Sequence, residues 1–161
     1  MAVNTGRTTN KNVDFRIDDS GGTLRSIPVS SINGLDLNYE ELDLTAFLDA
    51  VKGKLLGIPD LKIEISGPFD TTAAAAAGTL SGSHTVLNGI KGKNVPLTMD
   101  IQIGMGHVWE AGEPQFGITS SASAGMLCQH YAVDPNNGTY SASFVVYPGS
   151  TCPDWGTVAE T

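Results

Sequence analysis

The sequence predicts one β-rich, loop-rich domain, mainly β with one or two short helices, and three observations carry that prediction. Several runs alternate apolar and polar residues with a period of two, the pattern of a strand buried on one face. Turn formers punctuate those runs, with 19 Gly and 8 Pro among 161 residues. Charged residues are 16% of the chain and apolar ones 40%, so polarity comes largely from Gly, Ser, Thr and Asn, a strand-and-turn composition. A chain of this length buries roughly 70% of its unfolded surface, so no disulfide or metal is required to hold the fold.

Residues 1–12 are polar and aperiodic and read as an N-terminal arm. Val13, Phe15 and Ile17 then alternate with Asp14, Arg16 and Asp18. The turn Asp18-Asp19-Ser20-Gly21-Gly22 follows, and residues 24–29 resume in extended form, which predicts a hairpin. The paired acids lack the ligand spacing of a calcium loop. Residues 28–43 read as a long connection broken by Pro28, Ser30, Ser31, Asn33 and Gly34, with one short strand where Leu35, Leu37 and Tyr39 alternate. Long connections in small domains are often functional. Glu40, Glu41 and Asp43 then precede residues 45–55, where Phe47, Val51 and Leu55 recur every four residues, predicting one or two helical turns.

The central strand is framed by two sets of breakers. Leu61, Ile63 and Ile65 alternate with Lys62, Glu64 and Ser66, with Gly57-Ile58-Pro59 expected to open the strand and Gly67-Pro68 to close it. The alanine run 73–77 is compatible with a helix or a loop. Ser83 is placed to cap a short helix that turns Val86, Leu87 and Ile90 inward, with Gly92 near its end. Leu97, Met99, Ile101 and Ile103 form another alternating strand. Residues 104–124 read as a Gly-, Ser- and Ala-rich loop anchored by Trp109 and Phe116. Residues 126–133 and 139–147 read as strands joined by the turn Asp134-Pro135-Asn136-Asn137-Gly138. Residues 148–161, with Pro153 and Trp155, read as a C-terminal arm lying on another surface.

The net charge of −8 argues against a protein that grips nucleic acid, which requires Lys and Arg to neutralise phosphates. The first residues lack the apolar segment of a signal peptide, and no run of about 18 apolar residues is present to span a bilayer. Cys128 and Cys152 are expected to be ordinary packed thiols, with a disulfide between them as the alternative. No serine sits in a Gly-x-Ser-x-Gly elbow. Cys128 and His130, two apart on one strand, would share a face and could join His84 and His107 at a metal, yet ordinary side chains account for them better. Glu110 and Glu113 beside Trp109 are the nearest approach to a glycosidase pair, and a solvated acidic loop is the simpler account. Gly104-Met105-Gly106 lacks the third glycine of a phosphate loop. No cofactor, no metal site and no enzymatic activity are therefore expected.

Three segments carry a family resemblance: Asp19-Ser20-Gly21-Gly22-Thr23-Leu24-Arg25-Ser26-Ile27, Leu44-Thr45-Ala46-Phe47-Leu48-Asp49, and residues 55–70 from Leu55-Leu56-Gly57 to Gly67-Pro68-Phe69-Asp70. Together they resemble the tail tube proteins of long-tailed, siphovirus-type bacteriophages. Ser83-His84-Thr85-Val86-Leu87 fits that family's short helix, and the last hairpin fits its closing strands. The helical stretch before Gly57, the alanine run and the two cysteines depart from the pattern.

The resemblance implies a β-sandwich or barrel of two packed antiparallel sheets flanked by a short helix. It also implies a homo-oligomer of hexameric rings, stacked into a tube through which DNA passes without specific binding. Pro28, Ser31, Asn33, Leu35, Leu37, Tyr39, Glu40, Glu41 and Asp43 would then belong to an arm reaching a neighbouring ring, with both termini as further contact arms. Other virion proteins would be partners, and the protein would be made in the host bacterial cytoplasm and end in the virion tail. A capsid decoration, minor capsid or head-to-tail joining protein of related fold is the alternative. A carbohydrate-binding sandwich using Trp109 and Trp155 is a more distant one.

Overall fold

Alternation at Phe15 and Ile17 does produce the first hairpin. β1 (Val13–Asp18) and β2 (Leu24–Ile27) pair antiparallel, with Phe15 opposite Ile27 and Asp18 opposite Leu24. Asp19 closes the turn by accepting hydrogen bonds from the backbone N–H groups of Gly21 and Thr23, at 2.9 and 3.0 Å. This computed structural model describes residues 12–43, 45–46, 50–51, 53–74, 80–104 and 111–157, with the backbone alone given for 57–60. The predicted N-terminal arm except Asn12, together with Phe47, Ala75 to Ala77, His107, Trp109 and Glu110, lies outside the described residues.

The remaining elements are β3 (Ser31–Asn33), β4 (Asn38–Asp43), β5 (Lys54–Asp60), β6 (Lys62–Pro68), α1 (Ser83–Ile90), β7 (Met99–Ile103), β8 (Pro114–Ile118), β9 (Met126–Asp134), β10 (Thr139–Val146) and β11 (Asp154–Thr157). They form a five-stranded sheet in the order β11-β8-β7-β1-β2, a four-stranded sheet in the order β3-β6-β10-β9, and a separate two-stranded ribbon of β4 and β5. Every strand pairing in the three sheets is antiparallel.

The two larger sheets share one apolar core. Phe15 of β1 meets Phe144 of β10 with ring centroids 5.8 Å apart, and Ile17, Ile63, Met99, Ile101 and Phe116 are fully buried around them. Burial of each such side chain contributes about 1.5–3 kcal/mol. Leu61, Ile63 and Ile65 all point inward, as their alternation predicts, while Lys62 and Glu64 face solvent. Gly67 lets the connection after β2 pass close by, since a Cβ there would lie 2.7 Å from the Pro28 carbonyl oxygen. Tyr140 anchors the same crossing by donating its hydroxyl to that oxygen at 2.7 Å.

α1 buries Val86, Leu87 and Ile90 as expected. Its N-cap, however, is Gly82. Ser83 instead ties the helix to β6, donating to the Pro68 carbonyl at 2.9 Å and accepting from the Asp70 amide at 3.1 Å.

Four sequence expectations are corrected. The long connection holds two strands, β3 and β4, where one was expected; Tyr39 lies in β4, whereas Leu35 and Leu37 pack against the core without joining a ladder. Helix does not form across 45–55 in its described residues: Ala50 and Val51 form a bend and Leu55 pairs with Leu42 in the ribbon. Gly53 and a span of two turns leave a helix there marginal, and strand pairing satisfies the backbone instead. Gly57-Ile58-Pro59 lies within β5, so only Leu61 separates β5 from the core strand β6. At the C-terminal side, residues 114–118 are a strand, and the expected arm supplies its partner β11, where Trp155 packs edge-on against Phe116 at 5.2 Å.

Candidate assembly surface

The nine residues expected to form one arm divide into three groups. Pro28 accepts the Tyr140 hydrogen bond at the crossing between sheets. Ser31 and Asn33 sit on β3, opposite Ser66 and Glu64, and Leu35 and Leu37 rest on the core. Only Tyr39, Glu40, Glu41 and Asp43 belong to the projecting ribbon.

Among its described side chains that ribbon has no buried face. All six residues of β4 are exposed, including Tyr39 and Leu42 at 43% and 44%. Across the ladder, Leu55 and Leu56 are more than half exposed. Leu42 and Leu55 are direct partners and share one face, while Glu41, Asp43, Lys54 and Leu56 share the other. Lys54 forms an ion pair with Glu41, an exposed pair that contributes little. A two-stranded ribbon wet on both faces is marginally stable alone, and exposed leucines on both faces gain by being covered. Leu55, Leu56 and Leu42 were missed as contact residues because the helical spacing of Val51 and Leu55 masked the strand.

Open sheet edges are a second feature. In the four-stranded sheet β3 and β9 are the edges; residues 92 and 97 already bond to Cys128 and Met126 of β9, and beyond them Gln129, His130 and Val133 are exposed. An unpaired edge is a template for another strand. The outer face of this sheet is polar, and Lys62, Glu64, Gln129, His130, Ser141 and Ser143 border an open groove of about 560 Å³.

Among the described residues, the chemistry considered from the sequence does not converge. A bulge places Cys128 opposite Phe144 and His130 opposite Ser143, so the extra residue Gln129 turns the two onto opposite faces. Cys128 is buried and its thiol is pushed up to about 11 by that burial. Cys152 is half-buried, and both thiols are free. His84 lies within 2.9 Å of the Tyr131 hydroxyl and packs on Phe69 at 4.9 Å, away from His130. Among the described residues no three His, Cys, Asp or Glu side chains gather to hold a metal, and no helix is long and apolar enough to cross a membrane. Glu113, expected in a solvated loop, is fully buried directly before β8.

Polar groups on the five-stranded sheet are largely structural. Asp18 accepts from the Thr98 amide at 2.9 Å, and burial raises its carboxyl above the usual range against those hydrogen bonds. Asp100 is likewise raised by burial, with Arg16 opposite it in the ladder pulling it back.

Two solved structures share this architecture. A chain of the anti-feeding prophage cap, described as a tube terminating cap, superposes with a TM-score of 0.62 at 13% identity, covering 98% of this chain and 95% of that one. A chain of the PVC sheath-tube complex, from an extracellular contractile injection system in its extended state, gives 0.61 at 11% identity, covering 94% and 93%. This chain shares its fold with both. No protein-family model matches the sequence, and no curated protein matches it.

Proposed function

We propose that this protein is a non-catalytic structural subunit of a phage-tail-like particle, in its most concrete form a tube subunit. Copies associate head-to-tail around the open β3 and β9 edges into rings, and the rings stack around a channel for DNA. The separate β4–β5 ribbon carries the reading, because Leu42, Leu55 and Leu56, exposed on its two faces, acquire a partner only between copies. The shared fold with tube-terminating and sheath-tube components supports it. A net charge of −8 suits a wall past which DNA must slide, since like charges repel.

A cap at the end of such a tube is the second reading, favoured by the likeness to a tube terminating cap. Negative-stain microscopy and sedimentation of the full chain at rising concentration separate the readings. Tubes of indefinite length indicate the tube subunit, and single closed rings indicate the cap. A protein that stays monomeric at high concentration overturns both. Leu42→Ser with Leu56→Ser is expected to abolish rings while changing subunit stability by less than about 0.5 kcal/mol, as for other exposed sites.

A further inference from the structure

The strand order fixes where the ribbon sits relative to Lys91 and Lys93. β4 is entered from β3, and β5 leads through Leu61 into β6, so the ribbon springs from the β3–β6 side of the four-stranded sheet. Residues 91–95, after α1, are held at the opposite side. The Gly92 amide donates to the Cys128 carbonyl of β9 at 2.9 Å, and Leu97 bridges to Met126. Both lie at the same end of the sheet, because Lys62, Val145 and Leu127 form one row across it.

Charge and polarity match across that arrangement. The ribbon carries Glu40, Glu41 and Asp43 beside Tyr39 and Leu42. All of 91–95 is exposed, with Lys91, Lys93 and the 59% exposed Val95. Arg16, Arg25, Lys54 and Lys62 each pair with a carboxylate. Lys91 instead donates to Asn88, and among the described residues neither Lys91 nor Lys93 forms an ion pair.

We propose that Lys91, Lys93 and Val95 are the seat for the acidic, apolar ribbon of a laterally adjacent copy. This rests on the head-to-tail reading above, in which β9 of one copy neighbours β3 of the next. The ribbon base is then about one to two strand spacings, roughly 5–10 Å, from the neighbour's β9, and a six-residue strand spans about 20 Å. Val95 covers Leu42, and the lysines attract Glu40 at the bulge beside it, while Glu41, on the opposite face and paired with Lys54, adds only to the ribbon's negative field. The seat lies within the ring, in contrast to the arm reaching a neighbouring ring that the family resemblance implies.

Charge reversal tests it on the full chain. Lys91→Glu with Lys93→Glu, and separately Glu40→Lys with Glu41→Lys, should each raise the concentration needed for ring formation at least ten-fold in sedimentation and micrographs. The quadruple variant should recover most of that loss, and all should keep the wild-type thermal melt. Wild-type ring formation should weaken with salt, and Lys91→Gln with Lys93→Gln should remove most of that sensitivity. Wild-type-like assembly of the lysine reversal, or a folded quadruple variant as defective as either double, overturns this seat and leaves the tube reading standing. A wild-type chain that never forms rings overturns both.

Discussion

β4–β5 and β6–β10 are both antiparallel strand pairs, and β5 is separated from β6 by a single residue, yet they have opposite surroundings. β6 alternates exposed and buried residues, with Ile63 fully covered opposite Phe144. β4 is exposed along its whole length. The ladder hydrogen bonds are of the same kind, so the difference lies in what the side chains touch. One pair holds the subunit together, and the other is left for a partner.

Ile63→Asp should break that division most severely. It buries an unpaired charge in the shared core, at a cost comparable to the 5–15 kcal/mol that stabilises a typical domain. The variant should lose its cooperative thermal transition, and a folded, soluble Ile63→Asp protein would mean that β6 is not the core strand. Tyr140→Phe is a milder perturbation of the same region. It leaves the Pro28 carbonyl without its hydrogen bond and should cost about 0.5–1.5 kcal/mol in urea unfolding, with ring formation retained.

Asp18→Asn should have the smallest effect, and of opposite sign. Burial raises the Asp18 carboxyl, so the folded state holds its proton more tightly than the unfolded one. That contribution is present below the ordinary carboxylate pKa of about 3.9 and is lost as pH rises through the folded value. The Asn variant should therefore melt a few degrees at most above the wild type at pH 7, and the gap should close on acidification. A deficit that is the same at every pH would show that charge-assisted bonding to Thr98 outweighs burial.

Where a strand has one dry face, its pattern was readable in the residues. The β1–β2 and β9–β10 hairpins, β6, β7 and the inward residues of α1 all follow from period and turn chemistry. Elements whose partner decides them were not readable. β8 has one core residue, Phe116, beside a glycine, and β11 is a strand only because β8 is there to pair with it. The ribbon was concealed because Gly57 and Pro59 look like breakers, although a two-stranded ribbon has free edges that tolerate them. The bulge at Gln129 has no local signature either, so Cys128 and His130 looked like neighbours on one face. The acids of the arm were legible, but Leu55 has helical spacing with Val51, and Leu42 and Leu56 carry no pattern that marks them as contacts.

Hydrogen exchange on the full chain, compared before and after ring assembly, tests the central claim most directly. The account predicts that the β4–β5 amides exchange rapidly in the free subunit and become protected in the assembled particle, whereas β6 and β10 are protected in both states. Ribbon amides that exchange equally fast in free and assembled protein would contradict it.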